Sequence, residues 1–94
     1  MLEEVLGFLQ VRPGGRFVDA TSGEGGHAEA MLLACAPGGG VLSLDVDHEA
    51  VRLARERLRG FGPRVTVVRA SNHRLKAIAS RYGYLGVDGV LLDL

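Results

Sequence analysis

The sequence predicts an α/β fold, a parallel sheet flanked by helices, and three observations carry that prediction. Short β-rich runs alternate with helical patterns along the 94 residues. A glycine-rich turn, TSGEGGH at 21–27, follows the first of those runs. The last run, VDGVLLDL at 87–94, is almost wholly apolar, as expected of a central parallel strand buried on both faces.

Taken in order, residues 2–10 set Leu2, Val5, Leu6 and Leu9 at the i, i+3, i+4, i+7 spacing of an amphipathic helix. Arg12-Pro13-Gly14-Gly15 breaks it. RFVDA (16–20) reads as a short strand, and a helix is expected from His27 to about Ala36, where Pro37-Gly38-Gly39-Gly40 ends it. VLSLD (41–45) is the second strand. Asp47 is then placed to cap a helix running to about Arg59, with Glu49 in its first turn. Its buried stripe is Ala50, Val51, Ala54 and Leu58, and Arg52, Arg55, Glu56 and Arg59 face solvent. VTVVR (65–69) is a third strand, a third helix covers about 73–82, and the apolar run at 87–94 is the fourth strand. Strands separated by helices join through right-handed crossovers, which makes the sheet parallel.

Composition fits a folded domain, with 47% hydrophobic and 23% charged residues. Net charge is zero but uneven. Residues 1–47 carry two arginines against seven acids, and residues 48–94 nine bases against four acids. A solvated helix surface is the simplest reading of that basic half, because its arginines spread over several elements. Cys35 is the single cysteine, which excludes an internal disulfide, and its apolar setting (AMLLACA) marks a small buried hydrophobe. The opening MLEEVLGFLQ has acids where a signal peptide needs bases, and no apolar run reaches membrane-spanning length. A cytoplasmic protein without a membrane partner is expected.

Ligands of such sheets bind beyond the carboxyl ends of the strands, near the point where strand order reverses. The 19–27 segment, Asp45, Asn72 and Asp93 all fall at those ends. Gly23, Gly25 and Ala28 satisfy the G-x-G-x-x-G/A pattern of a Rossmann-like turn, in which main chain approaches a ligand. Asp45 ends the second strand about 20 residues on, where an acid accepts the hydroxyls of an adenosine ribose. Two cofactor classes fit: a nicotinamide or flavin dinucleotide, and S-adenosylmethionine. Asp19 bears on the choice, because a carboxylate beside the turn repels a pyrophosphate and suits an ammonium and a sulfonium. His27 has no second histidine or cysteine beside it, so no metal is assigned.

VDATSGEGGHAEAML, LSLDVDHEAVRLARERL and the closing VDGVLLDL together resemble the bacterial 16S ribosomal RNA cytosine-N4 methyltransferase family, also called MraW or RsmH. The resemblance runs through the whole chain, and the GGH triplet and DGVLLDL are its most specific parts. It implies a Rossmann-like S-adenosylmethionine-dependent methyltransferase fold, broken off after the fourth strand. It also implies cofactor-binding roles for Gly25, Gly26, His27, Asp45, Asn72 and Asp93. Ala20 and Ala28 stand where the family commonly has glycine and serine, Ser22 where it has an apolar residue, and Asn72 where an aromatic ring lies beside the adenine.

The implied reaction moves a methyl group to the exocyclic N4 amine of a decoding-centre cytosine in the small ribosomal subunit. The acceptor-positioning loop of the family follows the fourth strand, so no catalytic residue is assigned within 1–94. Zero net charge and 5% aromatics give no basic, aromatic-studded RNA surface. Residues 1–94 are therefore expected to be the N-terminal, cofactor-binding part of one methyltransferase domain, inactive alone and prone to associate with a second copy through an uncovered sheet edge. Two rival readings stand beside this one: a nicotinamide-dependent oxidoreductase fragment, and a non-catalytic methyltransferase-like interaction domain.

Overall fold

The structure, a computed structural model, describes residues 13–21, 25–84 and 86–92. The helix expected over 2–10, Gly23 and Asp93 lie outside the described residues. Four strands, β1 (Arg16–Ala20), β2 (Gly40–Asp45), β3 (Val65–Arg69) and β4 (Gly89–Leu92), form one sheet in the order β3-β2-β1-β4. Every pairing is parallel, with Val18 opposite both Leu42 and Val90, and Leu42 opposite Thr66. Helices α1 (Gly26–Ala34), α2 (His48–Arg57) and α3 (Leu75–Arg81) fill the crossovers.

The two-residue period of the strands divides the core between two faces. Phe17, Val41, Val65 and Val67 turn to one face, where Ala28, Met31, Leu32 and Cys35 from α1 and its end meet Ala54 and Leu58 from α2 and its end. Val18, Ala20, Leu42, Leu44 and Val68 turn to the other, against Ile78 and Ala79 of α3 and Tyr84. Phe17, Met31, Leu32, Val41 and Leu42 are 0% exposed. Burying each such side chain contributes about 1.5–3 kcal/mol.

Helix α2 matches its sequence pattern. Ala50, Val51, Ala54 and Leu58 are buried, Arg52, Arg55, Glu56 and Arg59 are exposed, and the Asp47 carboxylate accepts the Glu49 N–H at 3.0 Å. Cys35 is fully buried, as its apolar setting predicts. The arginines do more than solvate a surface. Arg55 donates to the Val67 carbonyl at 2.9 Å, Arg69 to that of Val46 at 3.1 Å, and Arg64 to those of Leu32 and Gly39 at 2.6 Å each. The positive charge of the second half thus ties elements together.

Several boundaries differ from expectation. Helix α1 stops at Ala34, with Cys35 as its C-cap in a non-helical conformation (φ −99°, ψ 11°), and the Cys35 carbonyl accepts the N–H groups of both Gly14 and Gly39. Helix α2 stops at Arg57; in the Gly60-Phe61-Gly62-Pro63 run, Gly62 (φ 59°) interrupts a 3-10 stretch over Arg59–Arg64. A 3-10 turn, Asn72–Arg74, precedes α3. Strand β4 begins at Gly89, and among the described residues it pairs with β1 alone, with Val90 36% exposed. Its apolar sequence marks a strand made to be covered, and no described strand covers its outer edge.

Candidate functional site

Because the sheet is parallel, Ala20, Asp45, Arg69 and Leu92 end their strands on one edge. From β1 the chain winds outward through β2 and β3, then crosses back to place β4 on the other flank of β1. Strand order therefore reverses beside β1, which makes the edge above β1 the place for a ligand. Asp19, Thr21 and the first residues of α1 stand there.

Asp19 alternates with Val18 and so shares the face of Phe17, and it is only 3% exposed. Its Oδ1 accepts the Thr21 N–H at 3.0 Å and the Thr21 hydroxyl at 2.6 Å. The same hydroxyl lies 3.1 Å from Nδ1 of His27, in the first turn of α1. A carboxylate, a hydroxyl and an imidazole thus form a chain of hydrogen bonds. Burial pushes the Asp19 carboxyl up from its ordinary value; the Thr21 bonds and the charge of His27 act against that, and the charge of Asp45 adds to it.

Asp45 is half-buried, and its Oδ1 accepts the Asp47 N–H at 2.9 Å. Its carbonyl accepts the Ala70 N–H at 3.0 Å, which joins the ends of β2 and β3. Between these anchors Val46 is turned outward, 60% exposed, with its own carbonyl held by Arg69. Asn72 opens the 3-10 turn after β3, on the same edge. The backbone thus gathers Gly25, Gly26, His27, Asp45 and Asn72 on one edge.

The two glycines of the triplet have different reasons. Gly25 caps α1 with φ 93°, a left-handed conformation, and a Cβ there would stand 3.3 Å from both Cα and Cβ of Ala54 and 3.4 Å from Leu58. The space that a side chain would take at Gly25 belongs to α2 and its end. A Cβ at Gly26 would meet only the Arg57 guanidinium, at 3.6 Å, an ordinary contact. Packing accounts for Gly25 and leaves Gly26 unaccounted for.

Two residues of this edge carry no role from sequence reasoning. Thr21 lies in a turn where the glycines dominate the pattern, and only the fold shows that its hydroxyl joins Asp19 to His27. Val46 looks like one more strand residue until its exposure is known. A cleft of about 290 Å³, lined by Arg16, Gly38, Gly39, Gly40, Pro63, Arg64 and Tyr84, opens at the opposite, amino edge of the sheet. No expected site residue lines it. Among the described residues no three of His, Cys, Asp or Glu come together as a metal ion requires, and no helix is long and apolar enough to cross a membrane.

Sequence comparisons with known proteins point to one family, and structural comparisons to SAM-dependent methyltransferases. The family described as the MraW methylase family matches residues 1–94. Ribosomal RNA small subunit methyltransferase H of Dehalococcoides mccartyi is 51% identical over 94 residues, which is all of this chain and 27% of that protein. The protein of the same name from Symbiobacterium thermophilum is 44% identical over the same 94 residues, 30% of its length. The chain therefore spans between a quarter and a third of these relatives. Among solved structures, a SAM-dependent O-methyltransferase from Thermotoga maritima superposes with a TM-score of 0.67 at 25% identity, covering 74% of this chain and 27% of its own. A SAM-dependent methyltransferase from Aquifex aeolicus gives 0.63 at 25% identity, over 74% of this chain and 38% of its own.

Proposed function

The chain belongs to the MraW methylase family, and from that membership we propose that residues 1–94 are the cofactor-binding part of an S-adenosylmethionine-dependent methyltransferase acting on small-subunit ribosomal RNA. The observation that carries the cofactor is the acidic edge: β1 and β2 run parallel with Asp19 opposite Ser43, so Asp19 and the strand-ending Asp45 stand at the same edge of adjacent strands. Two carboxylates oppose a pyrophosphate and suit a ligand that carries an ammonium and a sulfonium. The donor set fits that cofactor.

Asp45, at the end of β2, accepts the ribose hydroxyls. Val46 beside it offers exposed apolar surface to the purine, a contact that compensates for Asn72 standing where the family has an aromatic ring. Asp19 holds negative potential near the cationic end. At Gly26 the main chain comes close to the ligand with no side chain between. His27, Asn72 and Asp93 take cofactor contacts by family resemblance. Bound there, the cofactor supplies a sulfonium methyl group.

We assign the acceptor, by the same resemblance, as the exocyclic N4 amine of a decoding-centre cytosine. The amine lone pair is delocalised into the ring, so the enzyme must hold that nitrogen in line with the methyl and provide acceptors for its protons. A ribosomal RNA substrate also implies work in the cytoplasm.

Titration calorimetry of the full chain encoded by the reading frame, against S-adenosylmethionine and NADH, tests this reading. Binding of S-adenosylmethionine, tighter than NADH, is expected. Tighter binding of NADH would make the chain part of an oxidoreductase. If neither binds, an interaction domain without catalysis is the better account.

A further inference from the structure

The Thr21 hydroxyl has one proton and two polar neighbours. At 2.6 Å from the Asp19 oxygen it is a short, charge-assisted bond, and that same oxygen already accepts the Thr21 N–H. An ionised carboxylate only accepts, so the hydroxyl proton goes to Asp19. What the hydroxyl presents to Nδ1 of His27, 3.1 Å away, is then a lone pair. A neutral imidazole can close that bond only with its proton on Nδ1. Nε2 is left as an acceptor.

We propose that Thr21 is a positioning residue that sets His27 in the Nδ1–H tautomer, so that Nε2 offers a lone pair to a hydrogen-bond donor of the ligand. Resting on the assignment of S-adenosylmethionine above, the donor is its ammonium or a ribose hydroxyl. The arrangement selects for donors: a ligand that presents a carbonyl or phosphate oxygen to Nε2 would meet lone pair against lone pair. The buried, doubly bonded Asp19 is what fixes the direction of the chain. Thr21 therefore acts through His27, and its methyl group is not needed for the effect. The titratable groups whose charge acts on Asp19 are His27 and Asp45, and both lie on this edge.

Nitrogen-detected imidazole NMR of the full chain without ligand, at a pH where His27 is neutral, reads the tautomer directly. Wild type and Thr21→Ser are expected to show Nδ1–H at His27, and Thr21→Val to show Nε2–H. Affinity for S-adenosylmethionine is expected to fall about tenfold in Thr21→Val, the scale of one mispaired hydrogen bond, and to return in Thr21→Ser. An Nε2–H signal in the wild type overturns the proposal whatever binds, and that spectrum decides even if Thr21→Val does not fold. An unchanged tautomer in folded Thr21→Val also overturns it. An Nδ1–H signal in a wild type that binds no S-adenosylmethionine would uphold the role of Thr21 and overturn the cofactor assignment instead.

Discussion

At residue scale the glycine triplet separates packing from binding. Gly25→Val forces a branched side chain into a left-handed conformation and against Ala54, so a loss of about 3 kcal/mol in folding stability is expected from urea denaturation. Gly26→Ala meets nothing closer than 3.6 Å at a helical position, so stability is retained or rises by about 0.5–1 kcal/mol. A drop in S-adenosylmethionine affinity for that same variant would locate the ligand at Gly26, and unchanged affinity would remove it from the site. Asp45→Ala is expected to weaken binding by about 1.5–3 kcal/mol, the value of hydrogen bonds to a charged group. Calorimetry showing no change would take Asp45 out of the site. Asp19 gives a pH signature. Its folded pKa lies above the ordinary 3.8, so the native state holds the proton more tightly and stability falls as pH rises through that interval. Asp19→Asn keeps an acceptor for Thr21 and loses the charge. It is expected to be more stable than wild type at neutral pH, with a gap that closes below 3.8. A gap of the opposite sign would mean that the bonds to Thr21 outweigh burial.

Elements were legible where their determinants are local. The stripe Ala50, Val51, Ala54 and Leu58 and the Asp47 cap lie within one stretch of chain, and the structure has them as read. The end of α1 was not legible in the same way. Its sequence is apolar on every side, Leu33 is 65% exposed while Leu32 is fully buried, and its last turn is held by Arg64, 32 residues away from Leu32. Periodicity cannot register a contact at that separation. Removing the clamp exposes its weight: Arg64→Met strips donors from the carbonyls of Leu32 and Gly39, and a loss of about 1–3 kcal/mol is expected by urea denaturation. Arg64→Lys is expected to restore little, because an ammonium lacks the planar fork that spans two carbonyls. Full recovery with lysine would show that charge, and not the fork, holds the two ends together.

For the whole molecule, the strand pattern gave a parallel sheet and left the place of β4 to the fold. An apolar run such as VDGVLLDL reads as a central strand, whereas the observed order puts β4 at the flank of the described sheet. The order reverses beside β1, at the edge where the proposed ligand site lies. It also leaves an edge with apolar character, a template for pairing with another chain. A polypeptide of these 94 residues, produced alone, is expected to self-associate as concentration rises, through β4 against β4 of a second copy. The same polypeptide is expected to transfer no labelled methyl to small ribosomal subunits, since holding the acceptor in line is worth about 7–11 kcal/mol where fully exploited, and residues 13–92 supply only the cofactor side of that geometry. Val90→Lys places a charge on an exposed position of β4 and is expected to shift sedimentation toward the monomer, with a modest loss of thermal stability because Val90, 36% exposed, is still largely packed. Association that persists unchanged in Val90→Lys would put the contact elsewhere, with the exposed Leu33 of α1 the next surface to substitute.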